Sequence, residues 1–179
     1  CEGATTGYKT QPGMSGYTWT VSSGGTIING TGTDSITVTW STAGTKTVTV
    51  NYSNSFGCQA TNAVSYSVTV NALPLPSITG TAATCIGSSL TYNTQTGMTG
   101  YTWTVSAGGT ITSGQHTGSI NVTWNNAGVQ TVTVSYIDQH GCVPATPSVK
   151  TVYVNQPVVP TISGPWQVCL NQTVAYSTE

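Results

Sequence analysis

The chain has 179 residues, of which three are Lys and four are Asp or Glu, so 4% are charged against about 25% in an ordinary soluble domain. It contains no Arg, and its net charge of −1 gives phosphate backbones and anionic lipid no electrostatic partner, so we expect neither nucleic-acid nor membrane-surface binding. No apolar run approaches the roughly 20 residues of a membrane span, and the start of the chain has no signal-peptide pattern.

Apolar residues alternate with Thr and Ser from the beginning of the chain. The alternating residues are Tyr17, Trp19 and Val21; Ile36, Val38 and Trp40; Val48, Val50 and Tyr52; and Val64, Tyr66, Val68 and Val70. This period of two predicts β-strands with one apolar face. Because Gly and Pro interrupt the sequence and no window has helical spacing, we expect an all-β protein.

The sequence repeats itself without a gap after 84 residues, the separation of Cys1 and Cys85. The aligned pairs include Cys1 with Cys85, Trp19 with Trp103, Trp40 with Trp124 and Cys58 with Cys142. Solenoid repeats run about 20 to 50 residues because each unit depends on its neighbours, whereas a unit of this length can enclose a core of its own. We therefore expect a string of domains.

The second copy predicts seven short strands, near 77–81, 88–94, 100–106, 109–112, 118–124, 129–137 and 147–155. Seven strands with turn signals between them are typical of a Greek-key β-sandwich. Large aromatic residues of the alternating face are expected in the cores: Tyr17, Trp19 and Trp40 in the first copy, and Tyr101, Trp103 and Trp124 in the second.

Two short Pro-containing joints, 71–76 and 155–160, separate the copies. Pro restricts the backbone, so successive domains should be held at limited angles. We expect a sandwich over 1–72 that lacks its first strand, a complete sandwich over 73–156 and the start of a third over 157–179. This organisation predicts that the chain is a piece of a longer array of repeats, and that each repeat contacts the neighbouring repeats of the same chain.

The motifs Tyr-Thr-Trp-Thr-Val, Gly-Gly-Thr-Ile, Ser-Ile-x-Val-Thr-Trp, Thr-Val-Thr-Val and Gly-Cys follow one another in both copies. This series resembles the PKD-like, immunoglobulin-like repeats of very large secreted proteins of Bacteroidota, and the resemblance covers essentially the whole chain. It implies tandem immunoglobulin-like (PKD-like) sandwiches exported to the cell surface, commonly by the type IX route. The acidic motif of classical PKD domains is replaced by Trp-Thr-Val-Ser-Ser-Gly-Gly at 19–25, so no catalytic or metal-binding position carries over.

Five cysteines stand at repeat-locked positions: Cys1, Cys58, Cys85, Cys142 and Cys169. In a nearly uncharged β protein they indicate disulfides and an oxidising, extracellular setting. No two lie closer than the 27 positions between Cys58 and Cys85, which argues against a zinc site.

The cysteine pairing stays open between two schemes. Cys1 with Cys58, and Cys85 with Cys142, would close loops within each domain. In an immunoglobulin topology, however, these partners lie at opposite poles, about 20 Å apart, and a disulfide requires Cα atoms within about 7 Å. That distance favours a bond across the joint, from Cys1 to Cys142, with Cys85 meeting a cysteine of a further repeat.

Residues that could perform chemistry are few. The one local cluster, Asp138-Gln139-His140, is interpreted as a polar hairpin loop, because its residues do not recur in the first copy and no separate orienting group is evident. No two acids cluster as Ca²⁺ requires. We predict no catalytic site, metal site or cofactor.

Two surface positions are candidate sugar sites. Trp166 lies beside the second joint, where its first interpretation is packing against the neighbouring domain, and it is also the residue to test for stacking on a ligand. The sequence Asp34-Ser35-Ile36 resembles the O-glycosylation signal of Bacteroidota, which makes Ser35 a candidate attachment point.

We therefore predict a non-enzymatic, extracellular structural repeat that forms the stalk or filament of a large surface protein, an adhesin or gliding protein. Its partners would be neighbouring repeats, other copies in a filament, or surface glycans. The alternative is a spacer or carbohydrate-binding module of a secreted hydrolase.

Overall fold

A computed structural model describes residues 1–178. The all-β prediction is confirmed, because every element in this range is a strand. The strands are β1 (Thr5–Lys9), β2 (Ser15–Val21), β3 (Gly25–Asn29), β4 (Ser35–Trp40), β5 (Gly44–Ser53), β6 (Val64–Val70), β7 (Ala83–Cys85), β8 (Ser89–Asn93), β9 (Thr99–Val105), β10 (Gly109–Ser113), β11 (Ser119–Trp124), β12 (Gly128–Ile137) and β13 (Ser148–Asn155). The described residues include no helix that is long and apolar enough to cross a membrane.

The first sandwich consists of β1 to β6. One sheet has the order β1-β4-β3 and the other β2-β5-β6, with antiparallel pairs throughout. Their facing side chains form one buried cluster of Trp19, Ile36, Val38, Trp40, Val48, Val50 and Val70.

The second sandwich consists of β7 to β13, in sheets ordered β10-β11-β8 and β7-β13-β12-β9. Its buried cluster comprises Tyr92, Tyr101, Trp103, Ile120, Val122, Trp124, Val132, Val134, Tyr136, Val152 and Val154. The period of two explains this packing: along β11 the apolar residues Ile120, Val122 and Trp124 are buried, while the polar residues between them are partly or fully exposed, because successive side chains of a strand point to opposite faces.

The start of the second sandwich differs from the expected strand at 77–81. Residues there form a single bridge, between Thr79 and Asn93, and the chain then crosses to the other sheet, where β7 pairs in parallel with β13. Gly80 permits the crossing: its φ is +137°, and a Cβ at this position would lie 2.6 Å from Cδ1 of Tyr92. The expected strand is therefore divided in two at position 80, because only Gly can adopt this backbone conformation so close to the tyrosine ring.

The segment 157–178 is almost entirely exposed and contains one bridge, between Ser163 and Ser177. In the described range the first sandwich has six strands and the second seven, because β7 has no counterpart before β1. The unit boundaries after 72 and 156 remain those we propose from the sequence.

Candidate functional site: the joint between the sandwiches

A disulfide between Cys1 and Cys142 connects the two sandwiches across the first joint. The two Cα atoms are 5.6 Å apart, within the range that the bond requires. Cys1 is held at the end of the first sandwich, since the following residue, Glu2, donates its N–H to the carbonyl of Asn71 at 2.8 Å. Pairing within each domain is not found, because Cys58 and Cys85 are unpaired and exposed.

The loop between β12 and β13 presents Cys142 to this bond. The Asp138 carboxylate accepts hydrogen bonds from the backbone N–H groups of His140, at 2.9 Å, and Cys142, at 2.8 Å. An Asx turn of this kind fixes a tight loop by satisfying its backbone donors. The Asp138-Gln139-His140 cluster thus shapes the loop that carries a buried cysteine, 1% exposed.

The residues that follow the joint complete the second core. We call 73–80 the lead-in segment. Ile78 packs against the buried cluster, and Thr79 and Asn93 exchange backbone hydrogen bonds of 2.9 and 3.0 Å. These contacts cover the opening between β8 and β13.

Gln95 holds the lead-in segment with both ends of its amide. Its Oε1 accepts from the N–H of Ser77, and its Nε2 donates to the carbonyl of Leu75, each at 3.1 Å. Sequence reasoning missed this contact, because a single Gln in a loop has no periodic signal. The sequence signal that could have identified this residue is its recurrence, because the counterpart of Gln95 in the first copy, 84 positions earlier, is also a glutamine, Gln11.

The first sandwich has an open groove of about 460 Å³ where the second has its lead-in segment. Residues of both sheets form its walls, among them Tyr8, Trp19, Val50 and Tyr66. Lys9, the counterpart of Asn93, pairs with Ser35 of β4, and the described residues contain no bridge to Lys9 that corresponds to the one between Thr79 and Asn93. We call this opening the acceptor groove.

A smaller cavity of about 300 Å³ adjoins the acceptor groove and is lined by Cys58, Asn54 and Val64 among others. The Asn54 side chain accepts from the N–H of Cys58 at 2.9 Å, as Asp138 does for Cys142. The loop conformation that presents a cysteine at the joint is therefore built in the first sandwich as well, with the thiol exposed.

The four predicted core tryptophans are buried, and their polar N–H groups have partners. Trp19 and Trp103 donate to the carbonyls of Thr33 and Thr117, at 2.9 and 2.8 Å. Trp40 and Trp124 each donate to a tyrosine hydroxyl, that of Tyr8 at 3.0 Å and that of Tyr92 at 3.1 Å. A buried aromatic ring with a satisfied N–H is a core residue and cannot stack on a sugar.

The predicted tyrosines lie at the edges of the cores. Tyr101 is buried and Tyr17 half-buried, and their hydroxyls donate to the carbonyls of Gln95, at 2.8 Å, and Gln11, at 2.7 Å. Burial raises the pKa of Tyr92. The hydrogen bond that its hydroxyl accepts from the Trp124 N–H offsets part of this rise in pKa. Burial also raises the pKa of Tyr136, with smaller contributions from Tyr101 and the Asp138 charge.

The remaining predicted positions lie on the surface. Ser35 begins β4 and is half-buried, whereas Trp166 is 89% exposed. Cys169 is exposed and unpaired. Within residues 1–178, no group of three His, Cys, Asp or Glu side chains is placed to hold a metal ion.

The sequence profile of a family described as "PKD-like domain" matches residues 1–69 and 71–151. No curated protein matches the chain.

Several solved structures are similar to the chain at low identity. The D00-D0 domain of intimin is 11% identical with a TM-score of 0.40, over 86% of this chain and 93% of that one. A C-terminal intimin fragment in complex with the intimin-binding domain of Tir is 17% identical with a TM-score of 0.43, over 89% and 59%. The SGBP-B protein of Bacteroides ovatus, in complex with a mixed-linkage heptasaccharide, is 15% identical with a TM-score of 0.29, over 92% and 43%.

Proposed function

Because the chain belongs to the PKD-like domain family, we propose that it is a non-enzymatic structural repeat of a large extracellular protein, and that it forms part of a stalk or filament at the cell surface. The observation that carries this proposal is the Cys1–Cys142 disulfide, which joins two sandwiches across a joint that already contains Pro74 and Pro76. A covalent bond beside the backbone connection removes most of the rotation that a single linker permits. The sandwiches then act as one rod.

The composition supports an extracellular location. Disulfides persist in oxidising compartments, and one of the two cysteines in this bond is 1% exposed. The exposed strand faces carry Thr and Ser instead of ions, with cross-strand hydroxyl contacts such as Ser89 with Thr123 at 2.7 Å. Such a surface interacts weakly with charged partners.

The position of the polar residues supports a non-enzymatic role. Asp138 accepts two backbone hydrogen bonds in its loop, and His140 is exposed on the same loop. A general acid or base must reach a substrate from a pocket, and the larger cavity here has Lys9 as its one ionisable side chain besides tyrosines.

The resemblance of the repeated motifs to surface proteins of Bacteroidota extends the proposal. In that setting the chain would be a type IX secretion cargo and part of an adhesin or a gliding protein. Its partners would be neighbouring repeats and, at the tip of the stalk, a surface or glycan. Ser35, at the start of β4 and half-buried, remains the proposed O-glycosylation site.

Small-angle X-ray scattering of a disulfide variant tests the rod. In Cys1→Ser we expect a broader distribution of interatomic distances than in the parent, with both sandwiches still folded by near-ultraviolet circular dichroism. The matched control is Cys85→Ser, because Cys85 is the repeat counterpart of Cys1 and is unpaired; its scattering should equal that of the parent. An unchanged distribution in Cys1→Ser would show that the bond does not set the geometry and would remove the main support for the stalk.

A carbohydrate-binding role is the second candidate, and the 89% exposure of Trp166 favours it. An exposed indole on an irregular segment can stack on the apolar face of a sugar ring. On a glycan array, binding that is lost in Trp166→Ala and kept in Leu170→Ala, whose parent side chain is 93% exposed, would support this candidate. Absence of binding by the parent chain would reject it.

A further inference from the structure

The outward face of the sheet β7-β13-β12-β9 in the second sandwich carries a row of apolar side chains. The register pairs Ala83 with Tyr153 and Tyr153 with Val129, so these three residues lie side by side across three strands. All three are exposed, with Val129 at 67% and Tyr153 at 56%, because they alternate along their strands with the residues that enter the core. We call Ala83, Tyr153 and Val129 the apolar row.

Hydroxyl groups lie beside the apolar row on the same face. Thr151 and Thr131 pair with each other two positions further along β13 and β12, which places them about 7 Å from the apolar row. The next row in that direction combines Val149 with Thr133 and Thr104. None of these rows contains a charged side chain, so the face offers apolar and hydroxyl groups only.

The first sandwich shows that the fold does not require the apolar row. Thr69 and Thr45 stand there at the positions of Tyr153 and Val129, and they pair with each other in the same register. The same sheet therefore forms with two hydroxyl-bearing residues in place of a tyrosine and a valine. Neither packing nor strand pairing accounts for the two large apolar side chains of the second sandwich.

A sandwich that follows in the chain does not cover these positions. Thr45 and Thr69 are exposed, although the second sandwich follows the first and is connected to it by the cross-joint disulfide. Because Val129 and Tyr153 occupy the same two positions of their own sheet, we expect them to stay exposed next to a further sandwich. The apolar row is thus a lateral surface, separate from the joints.

The chemistry of this face indicates the class of partner. An anionic ligand finds no cation in these rows, and three apolar side chains provide much less contact than the roughly 800 Å² per partner of a stable protein interface. A phenol ring, in contrast, covers the C–H groups of a sugar ring while its hydroxyl remains in water. Threonine hydroxyls both donate and accept hydrogen bonds, which is what the hydroxyl groups of a neutral sugar require.

We propose that this face binds a neutral polysaccharide, with one hexose ring on the apolar row and its hydroxyl groups bonded to Thr151 and Thr131. The apolar row extends about 10 Å across three strands, and the face is open, so it suits a unit within a chain of linked sugars. This inference goes beyond the stalk function, because it gives the side of the second sandwich a ligand of its own. It is also independent of Trp166, which lies outside this sheet.

An exchange of side chains between the two sandwiches tests the proposal on the full chain with its disulfide intact. The loss variant, Tyr153→Thr with Val129→Thr, gives the second sandwich the side chains of the first. The gain variant, Thr69→Tyr with Thr45→Val, does the reverse. All four positions are exposed, and each new side chain is one that the other sandwich already carries there, so both variants should fold, as near-ultraviolet circular dichroism checks.

Titration of ¹⁵N-labelled protein with cellohexaose, laminarihexaose and mannohexaose measures binding by nuclear magnetic resonance. In the parent we expect at least one of these neutral oligomers to shift signals of β12 and β13. The loss variant should bind it at least about tenfold more weakly, because the ring and the valine supply most of the apolar contact. The gain variant should show a second set of shifts, in β5 and β6, and Trp166→Ala should bind as the parent does.

Three results would overturn the proposal: no binding of any of the three oligomers by the parent, binding of equal strength by the loss variant, or loss of binding in Trp166→Ala. A parent dimer in sedimentation velocity that disappears in the loss variant, without sugar binding, would assign the face to a second copy instead. None of these results would alter the scattering difference between the parent and Cys1→Ser. Failure of the sugar site and failure of the stalk function are therefore distinguishable.

Discussion

In the second sandwich Val134 and Val152 are each 0% exposed. Their counterparts in the first sandwich are less buried: Val50 is 8% exposed, and Val68 is half-buried. The two sandwiches share their strand order, their tryptophan hydrogen bonds and most of their core side chains. They differ in the lead-in segment, which only the second contains in this chain. The comparison shows that the residues after a joint belong to the core of the following sandwich, so a joint that moves also disturbs a core.

The largest expected effect compares the two central tryptophans. Trp103→Ala should reduce the free energy of unfolding of the second sandwich by about 3 to 5 kcal/mol, because it leaves a closed cavity. Trp19→Ala should cost less, since the acceptor groove already admits water to that ring. Each indole donates one hydrogen bond to a backbone carbonyl, so the loss of that bond contributes equally to both variants and cancels in the comparison.

Hydrogen exchange of peptides from β9 and β12, compared with β2 and β5, measures the two losses separately. Equal losses would mean that the groove does not weaken the first core. A loss within error of zero for Trp103→Ala would remove this residue from the core.

A smaller loss of stability is expected from a substitution in the lead-in segment, which should make the second sandwich resemble the first. Ile78→Ser should cost about 1 to 2 kcal/mol, less than a fully buried aliphatic residue, because Ile78 is partly buried. The Trp103 indole N–H should then exchange with solvent at a rate nearer to that of Trp19. Nuclear magnetic resonance of the indole protons measures both rates.

Leu75→Ser is the control for that experiment, because Leu75 lies in the same segment and is 86% exposed. Its exchange rates should match those of the parent. If Ile78→Ser also left the Trp103 rate unchanged, the lead-in segment would not be what closes the second core.

The smallest effect concerns alkaline pH. Burial raises the pKa of Tyr136, so the folded second sandwich holds this proton more tightly than the unfolded chain does. The resulting stability is fully present below the unfolded pKa of about 10 and is lost as the pH rises through the folded value.

Tyr136→Phe removes this group and should flatten the fall of the second sandwich's stability above pH 10, with little change at pH 8. Urea unfolding at a series of pH values measures the slope. A slope identical to that of the parent would assign the alkaline loss to other groups.

The sequence predicts the strands well because a half-buried sheet requires alternation, and residues such as Ile120, Val122 and Trp124 follow it closely. The distance between the two poles of a sandwich also favours, from the sequence alone, the bond across the joint. Disulfide pairing within each domain could be excluded only from the three-dimensional structure, because the connectivity depends on where loops such as that of Cys142 lie.

Other features were beyond the sequence for physical reasons. The split of the predicted strand at 77–81 depends on one backbone angle, at Gly80, and on the ring against which it packs. The hold of Gln95 on the joint is a pair of hydrogen bonds between residues about twenty positions apart, which leaves no periodicity.

The position of the cross-joint bond also determines which part of the chain bears tension. A force applied at Cys1 and at the C-terminus passes through the two sulfur atoms to Cys142, so the intervening chain, spanned by a sequence separation of 141, carries no load. The first sandwich lies wholly inside this bypassed loop, and of the second only β13 lies on the loaded path. At about 3.5 Å per residue, full extension of the oxidised chain would reach about 130 Å, against about 630 Å after reduction. The contour length is therefore under redox control, and most of it is shielded from force.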